Sequence, residues 1–178
     1  MVQRTDVLVP EAYKGYVAAA GSDDLSTALK KSAKQFRKLC KNLPKKKIDY
    51  AYAEGKWTVR ELVQHVIDAE RVFVSRALWF ARRDTTPLPG FDENTWTVTS
   101  NASAREWEEL IEEFKVLRAS TKFFFDSLND QQLLSNGTAN NNQMNVAGLG
   151  FVCAGHVCHH INIIKERYLP KKKKTVGV

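Results

Sequence analysis

Four stretches of this chain repeat their apolar residues at intervals of three and four, the period of an α-helix, and none alternates apolar with polar residues as a half-buried strand would. The first covers residues 22–43, with Leu25, Ala28, Leu29, Ser32, Phe36, Leu39, Cys40 and Leu43 on one face. Ser22 reads as its N-cap, Asp23 and Asp24 suit the positive end of the helix dipole, and Pro44 stops it. The second covers 58–82. Thr58 and Glu61 form a capping box, and Trp57 is placed to staple onto Leu62. The third opens on a second capping-box pattern, Ser103 with Glu106, and carries Trp107, Leu110, Ile111, Phe114, Leu117, Phe124, Phe125 and Leu128. The fourth starts at Asn145 and runs to about Leu169, before Pro170. Four amphipathic helices in 178 residues predict an all-α fold, a four-helix bundle in one domain. Residues 1–21 read as an N-terminal arm, 22–170 as the bundle, and 171–178 as a flexible basic tail.

The connections are uneven. Residues 84–102 include TPLPGFDENTW, with two prolines and a glycine. A loop longer than about 15 residues in a compact domain is usually functional or packed over something. Phe91, Asp92, Glu93 and Trp96 of this crossover are candidates to cover a site or a partner. The stretch 135–143, SNGTANNNQ, is polar and turn-rich.

Charge and composition narrow the function classes. The net charge is +7, and the runs Lys45–Lys47 and 171–174 together account for the whole excess. No aromatic residues alternate with the lysines of the first helix to form a stacking platform, so nucleic-acid binding is not expected. No apolar run approaches the ~20 residues that span a bilayer, so no membrane is expected either. The N-terminal segment lacks the apolar core of a signal peptide. The expectation is a cytoplasmic protein whose three cysteines (Cys40, Cys153, Cys158) stay reduced.

The four histidines carry the chemistry. His156 and His160 stand one turn apart on the apolar stripe of the fourth helix, which reads Leu149, Val152, Cys153, His156, His160, Ile163, Ile164. Burying two imidazoles is costly unless their nitrogens find partners, and a metal ion supplies one to both. His65, at the edge of the inward stripe of the second helix, is the best third ligand from a facing helix. His159 points about 100° away from His160. Three imidazoles with an open position is the catalytic pattern for a zinc-like ion, and Zn or Ni is the expected metal. The plain alternative, hydrogen-bonded helix histidines, stays open on pattern alone. Cys153 is either a fourth ligand or, preferably, a small core residue. Asp68, one turn after His65, is either a partner of an imidazole or an exposed carboxylate paired with Arg71, while Glu70 and Arg71 read as surface charges. Gly148, Gly150 and Gly155 fit either a frayed first turn or a close helix approach.

Two segments, GKWTVRELVQHVIDAERVFVSRALWFARRDTTPLPGFDENTW (55–96) and AGHVCHHINIIKERYLP (154–170), resemble the DinB-like superfamily of DinB/YfiT-type bundles. The resemblance implies a four-helix bundle with long crossover loops, often a homodimer, and a divalent metal on three histidines. The His of its W-T-x-x-E-x-x-x-H segment matches His65, and its H-x-x-x-H pair matches His156 and His160. Members include metal-dependent hydrolases and thiol S-transferases for bacillithiol or mycothiol. The resemblance therefore implies a metal-dependent enzyme acting on a small molecule, with hydrolysis first, thiol transfer second, and a non-catalytic metal-binding scaffold third.

Overall fold

A computed structural model describes residues 2–169 of the chain; Pro170 and the basic tail lie outside the described residues. Seven α-helices and one hairpin follow each other in the order α1 (Glu11–Ala19), α2 (Leu25–Lys41), α3 (Val59–Ala81), α4 (Glu93–Thr99), α5 (Trp107–Asp126), α6 (Asp130–Leu134), β1 (Asn136–Ala139), β2 (Asn142–Asn145) and α7 (Val146–Ile163). A π-helical turn, Ile164–Tyr168, extends α7. The long helices α2, α3, α5 and α7 are the four expected from periodicity, and they form the bundle.

Local chemistry sets most of the helix ends. Thr58 and Glu61 make the capping box of α3 in both directions. Asn145 caps α7 by accepting from Gly148 N at 2.8 Å. The cap of α2 is Asp24, whose Oδ1 accepts from Thr27 N at 2.8 Å, and not Ser22. Ser22 Oγ instead accepts from Asp24 N at 3.3 Å.

The start of α5 departs from the expected capping box. Ala102–Ala104 is a separate 3-10 turn, Arg105 is extended, and Glu106 is the N-cap without a side-chain cap bond. Tertiary contacts hold Arg105 out of the helix. Its carbonyl accepts from Arg60 Nη1, and its own Nη1 donates to Gln64 Oε1 at 2.8 Å and to Glu113.

Two further segments gain structure from their surroundings. The polar stretch after α6 is an antiparallel hairpin, correcting the expectation of no strand. Its two-residue turn, Asn140-Asn141, has φ of 49° and 60°, the left-handed pair that a tight hairpin turn requires and that asparagine tolerates. Gly137 lies flat against Phe80, where an added Cβ would stand 2.2 Å from the ring. The long crossover joins this hairpin through Leu88, which donates to Thr138 O at 2.9 Å and accepts from Asn140 N at 3.0 Å.

At the centre is α7, apolar on nearly every face and packed against α1, α2 and α3. Val146–Tyr168 is long and apolar enough to cross a bilayer, contrary to the sequence expectation, but 78% of its apolar window is buried inside the molecule, as a core helix requires. Its glycines are close-approach sites and not a frayed turn. A Cβ on Gly155 would meet Tyr16 O at 1.7 Å, and one on Gly148 would meet Leu8 O at 2.7 Å. The segment read as an N-terminal arm thus contains a helix, α1, laid directly on the core helix. Asn145 ties down the residues before it, donating to Asp6 O at 3.0 Å and accepting from Leu8 N at 3.1 Å.

Glu70 departs from the sequence expectation. It is 2% exposed, not a surface charge. Both its oxygens accept from Arg118 of α5 at 2.7 Å, and Thr121 Oγ1 adds a third bond at 2.8 Å. Arg118 completes its own shell on Leu29 O, Ser32 Oγ and Cys153 O. Arg71 is exposed, as expected.

Candidate metal centre

The capping box at Thr58 starts α3 two turns before His65, so the helix delivers that imidazole toward α7. On α7, His156 and His160 occupy successive turns of one face and are buried. The three side chains converge. His65 Nε2 stands 3.1 Å from His156 Nε2, and His160 Nε2 stands 3.0 Å from the same atom. The three ligand atoms all lie within 4.8 Å of one another, and they form the sole such cluster of three or more ligating side chains among the described residues.

Neutral imidazoles cannot by themselves satisfy this arrangement fully. Each carries one N–H and one lone pair, so His156 Nε2 can donate to at most one of its two neighbours. Protonation does not help, because burial already opposes charge. Burial pushes His65 down to about 4, with His159 opposing its charge further and Glu93 favouring it. Burial, and then the neighbouring imidazoles, holds His156 and His160 well below the ordinary histidine range. Three inward lone pairs are what a divalent ion requires. Ligands at 2.0–2.1 Å from a tetrahedral zinc-like ion stand about 3.3 Å apart, close to the 3.1 and 3.0 Å that separate His156 from its two neighbours. The donor set therefore fits a metal.

Aromatic rings fix the imidazoles in place. The Trp57 ring lies 4.8 Å from that of His65, while Tyr16 and Phe73 meet His156 edge-on at 5.3 and 5.7 Å. These walls belong to a cavity of about 260 Å³ that also takes in Tyr13, Arg76, Phe91, Glu93 and Asn140. The long crossover covers the site as expected of Phe91 and Glu93, whereas Asp92 caps α4 and Trp96 lines an adjoining groove.

The remaining candidates fall outside the cluster. His159 is half-buried and packs on Tyr16 at 5.3 Å. Cys153 is buried and outside the ligand cluster, its thiol raised well above the usual range by burial. Asp68 is half-buried, and its Oδ1 accepts from Gln64 at 3.0 Å and Arg71 at 3.3 Å, so no histidine uses it.

Sequence reading missed Tyr13, Tyr16, Phe73, Arg76 and Asn140. Phe73 and Arg76 had a signal, since His65, Ala69, Phe73 and Arg76 recur at helical spacing down one stripe of α3. The tyrosines and Asn140 had none, because each reaches the cavity through a tertiary packing that no local pattern encodes.

The model of the DinB superfamily matches residues 28–164, most of the chain. The chain belongs to the DinB superfamily. No curated protein sequence matches it. Among solved structures this DinB superfamily member is similar to YfiT from Bacillus subtilis, described as a probable metal-dependent hydrolase with an unusual four-helix bundle topology. That likeness has a TM-score of 0.69 at 18% identity, over 89% of this chain and 87% of that one. It is also similar to the mycothiol-dependent maleylpyruvate isomerase, with a TM-score of 0.65 at 12% identity, over 91% of this chain and 62% of that one. At these identities the structural likeness establishes the fold.

Proposed function

We propose that this chain is a metal-dependent hydrolase, with one divalent ion, zinc or nickel, held by His65, His156 and His160. The observation that carries the reading is the convergence of three Nε2 atoms, that of His156 standing 3.1 and 3.0 Å from those of His65 and His160, on the wall of a cavity of about 260 Å³. Likeness to YfiT, itself described as a probable metal-dependent hydrolase, supports it. When bound, such an ion supplies Lewis acidity and makes water a competent nucleophile near neutral pH. The chain supplies the rest. Burial keeps all three imidazoles neutral, so their lone pairs stay available. Trp57, Tyr16 and Phe73 hold the rings and exclude bulk water. Glu93, the one carboxylate lining this cavity among the described residues, accepts the proton released by the attacking water and returns it to the leaving group. Thiol S-transfer is a second reading, supported by likeness to a mycothiol-dependent isomerase.

Metal content is the first test. Untagged protein should carry close to one divalent ion per chain by elemental analysis, as should His159→Ala. His65→Ala, His156→Ala and His160→Ala should lose the metal yet stay helical by circular dichroism, because a core of this size folds without it. Well under one ion in metal-replete wild type rejects the site. An unfolded His160→Ala makes the metal structural. Turnover of an ester and amide panel, with and without added thiol, then separates hydrolase, transferase and scaffold. Glu93→Gln should keep its metal and lose roughly 100-fold or more in rate.

A further inference from the structure

Two arginines of this molecule are almost equally buried and are treated in opposite ways. Arg118, 4% exposed, has every direction of its guanidinium answered by Glu70 and by hydroxyl and carbonyl oxygens. Arg76, 3% exposed, has one hydrogen bond, from Nη2 to Pro89 O at 2.8 Å. Its Nη1 is buried without a partner, and no carboxylate pairs with it among the described residues. A buried guanidinium left without a counter-charge is costly, and folds rarely keep one without a use for it.

The position of Arg76 identifies that use. It lines the histidine cavity, three helical turns along α3 from His65, and equally lines an adjoining groove of about 460 Å³. That groove is mostly apolar, walled by Val72, Leu88, Pro89, Phe91 and Trp96. Phe91 belongs to both spaces and sits 5.9 Å from the guanidinium carbon. Asp68, the acid of the groove, is engaged by Gln64 and Arg71. Glu93, the acid of the cavity, forms no ion pair with Arg76. A cation with open donors thus stands where the histidine cavity meets an apolar groove.

We propose that Arg76 is the anion anchor of the substrate site, and that the substrate is a small carboxylate with an apolar body. The carboxylate binds Nη1, the apolar body lies against Phe91 and Trp96, and the reacting end points toward the three histidines. This deepens the metal-hydrolase reading and rests on it for the last of these three contacts. Admission of the carboxylate requires Phe91 or its neighbours to give way, because Nη1 is closed to water in the free protein.

The test compares 4-phenylbutyrate with its primary amide, which has the same body and no charge, by isothermal titration. It is run on metal-loaded and on chelator-treated full-length protein, with metal content measured for each sample. Wild type should bind the acid about tenfold or more tightly than the amide with or without metal, as a charge-assisted bond implies. Arg76→Lys should keep part of this preference and Arg76→Met should lose it, both retaining metal. The proposal is overturned if wild type does not prefer the acid, or binds neither probe up to about 50 mM. It is also overturned if the preference survives in Arg76→Met, or exists only with metal, since the acid would then sit on the ion. Should Arg76→Met not fold, the wild-type and Arg76→Lys arms still decide. Failure of the metal reading shows separately, as missing metal in wild type.

Discussion

Glu70 and Arg118 interact across 48 residues, and neither looks internal in sequence, since a glutamate and an arginine on amphipathic helices ordinarily face water. Once buried, they stand or fall together. Removing one partner strands the other charge in the core, which costs about 3–5 kcal/mol. Glu70→Gln and Arg118→Met should each lower stability by that order, read as a reduced urea midpoint. Replacing both with apolar residues should recover a good part of the loss, because the desolvation penalty disappears with the charges. A single variant within about 0.5 kcal/mol of wild type would mean that water or a shift of α5 answers the remaining charge. His65 was more legible. Its place beside His156, 91 residues away, was readable as a candidate from the inward stripe of its helix and from the family resemblance, but helical period alone left hydrogen-bonded histidines equally open.

At the scale of elements, Gly155 weighs propensity against packing. In an isolated helix Gly→Ala gains about 1 kcal/mol. Here the added Cβ would stand 1.7 Å from Tyr16 O, a backbone atom that can retreat only if α1 moves. The clash wins. Gly155→Ala should lower the melting temperature by a few degrees, in line with an overpacking cost of about 1–3 kcal/mol. Limited proteolysis should then cut near α1 before the rest of the chain. Since Tyr13 and Tyr16 of α1 also wall the histidine cavity, this variant tests whether α1 belongs to the site. The start of α3 was legible because its capping box is entirely local. The start of α5 was not, because Gln64 and Glu113 engage the Arg105 side chain and hold its backbone extended.

For the whole molecule, the histidine cluster links stability to pH. In the metal-free chain the unfolded state takes protons near pH 6.5, while folded His65 resists until about 4. The unfolded state therefore binds more protons between these values, and stability falls as pH drops through that window. His156 and His160 act in the same direction. Above about pH 7 the cluster contributes no such penalty. Chelator-treated protein should accordingly show a falling urea midpoint from about pH 7 to pH 5, and metal-loaded protein a higher midpoint at each pH with a fall at least as steep, since an ion on the lone pairs keeps protons off the folded state alone. Equal midpoints in the two samples at pH 7 would mean that the cluster does not hold the ion.

The sequence alone determined what depends on neighbours in the chain. The four long helices follow from apolar residues three and four apart, the α3 and α7 starts from Thr58, Glu61 and Asn145, and the His156–His160 pair from one helical turn. The segments that resemble the DinB family were legible for the same reason, being contiguous. Tertiary structure decided what depends on residues distant in sequence: the docking of α1 on Gly155, the hairpin across Phe80, the burial of Glu70, and Arg76 without a partner at the cavity wall. Periodicity shows which face of a helix is buried. Which side chain from another helix meets that face depends on how the helices pack, and in this chain that packing brings His65 to His156 and His160.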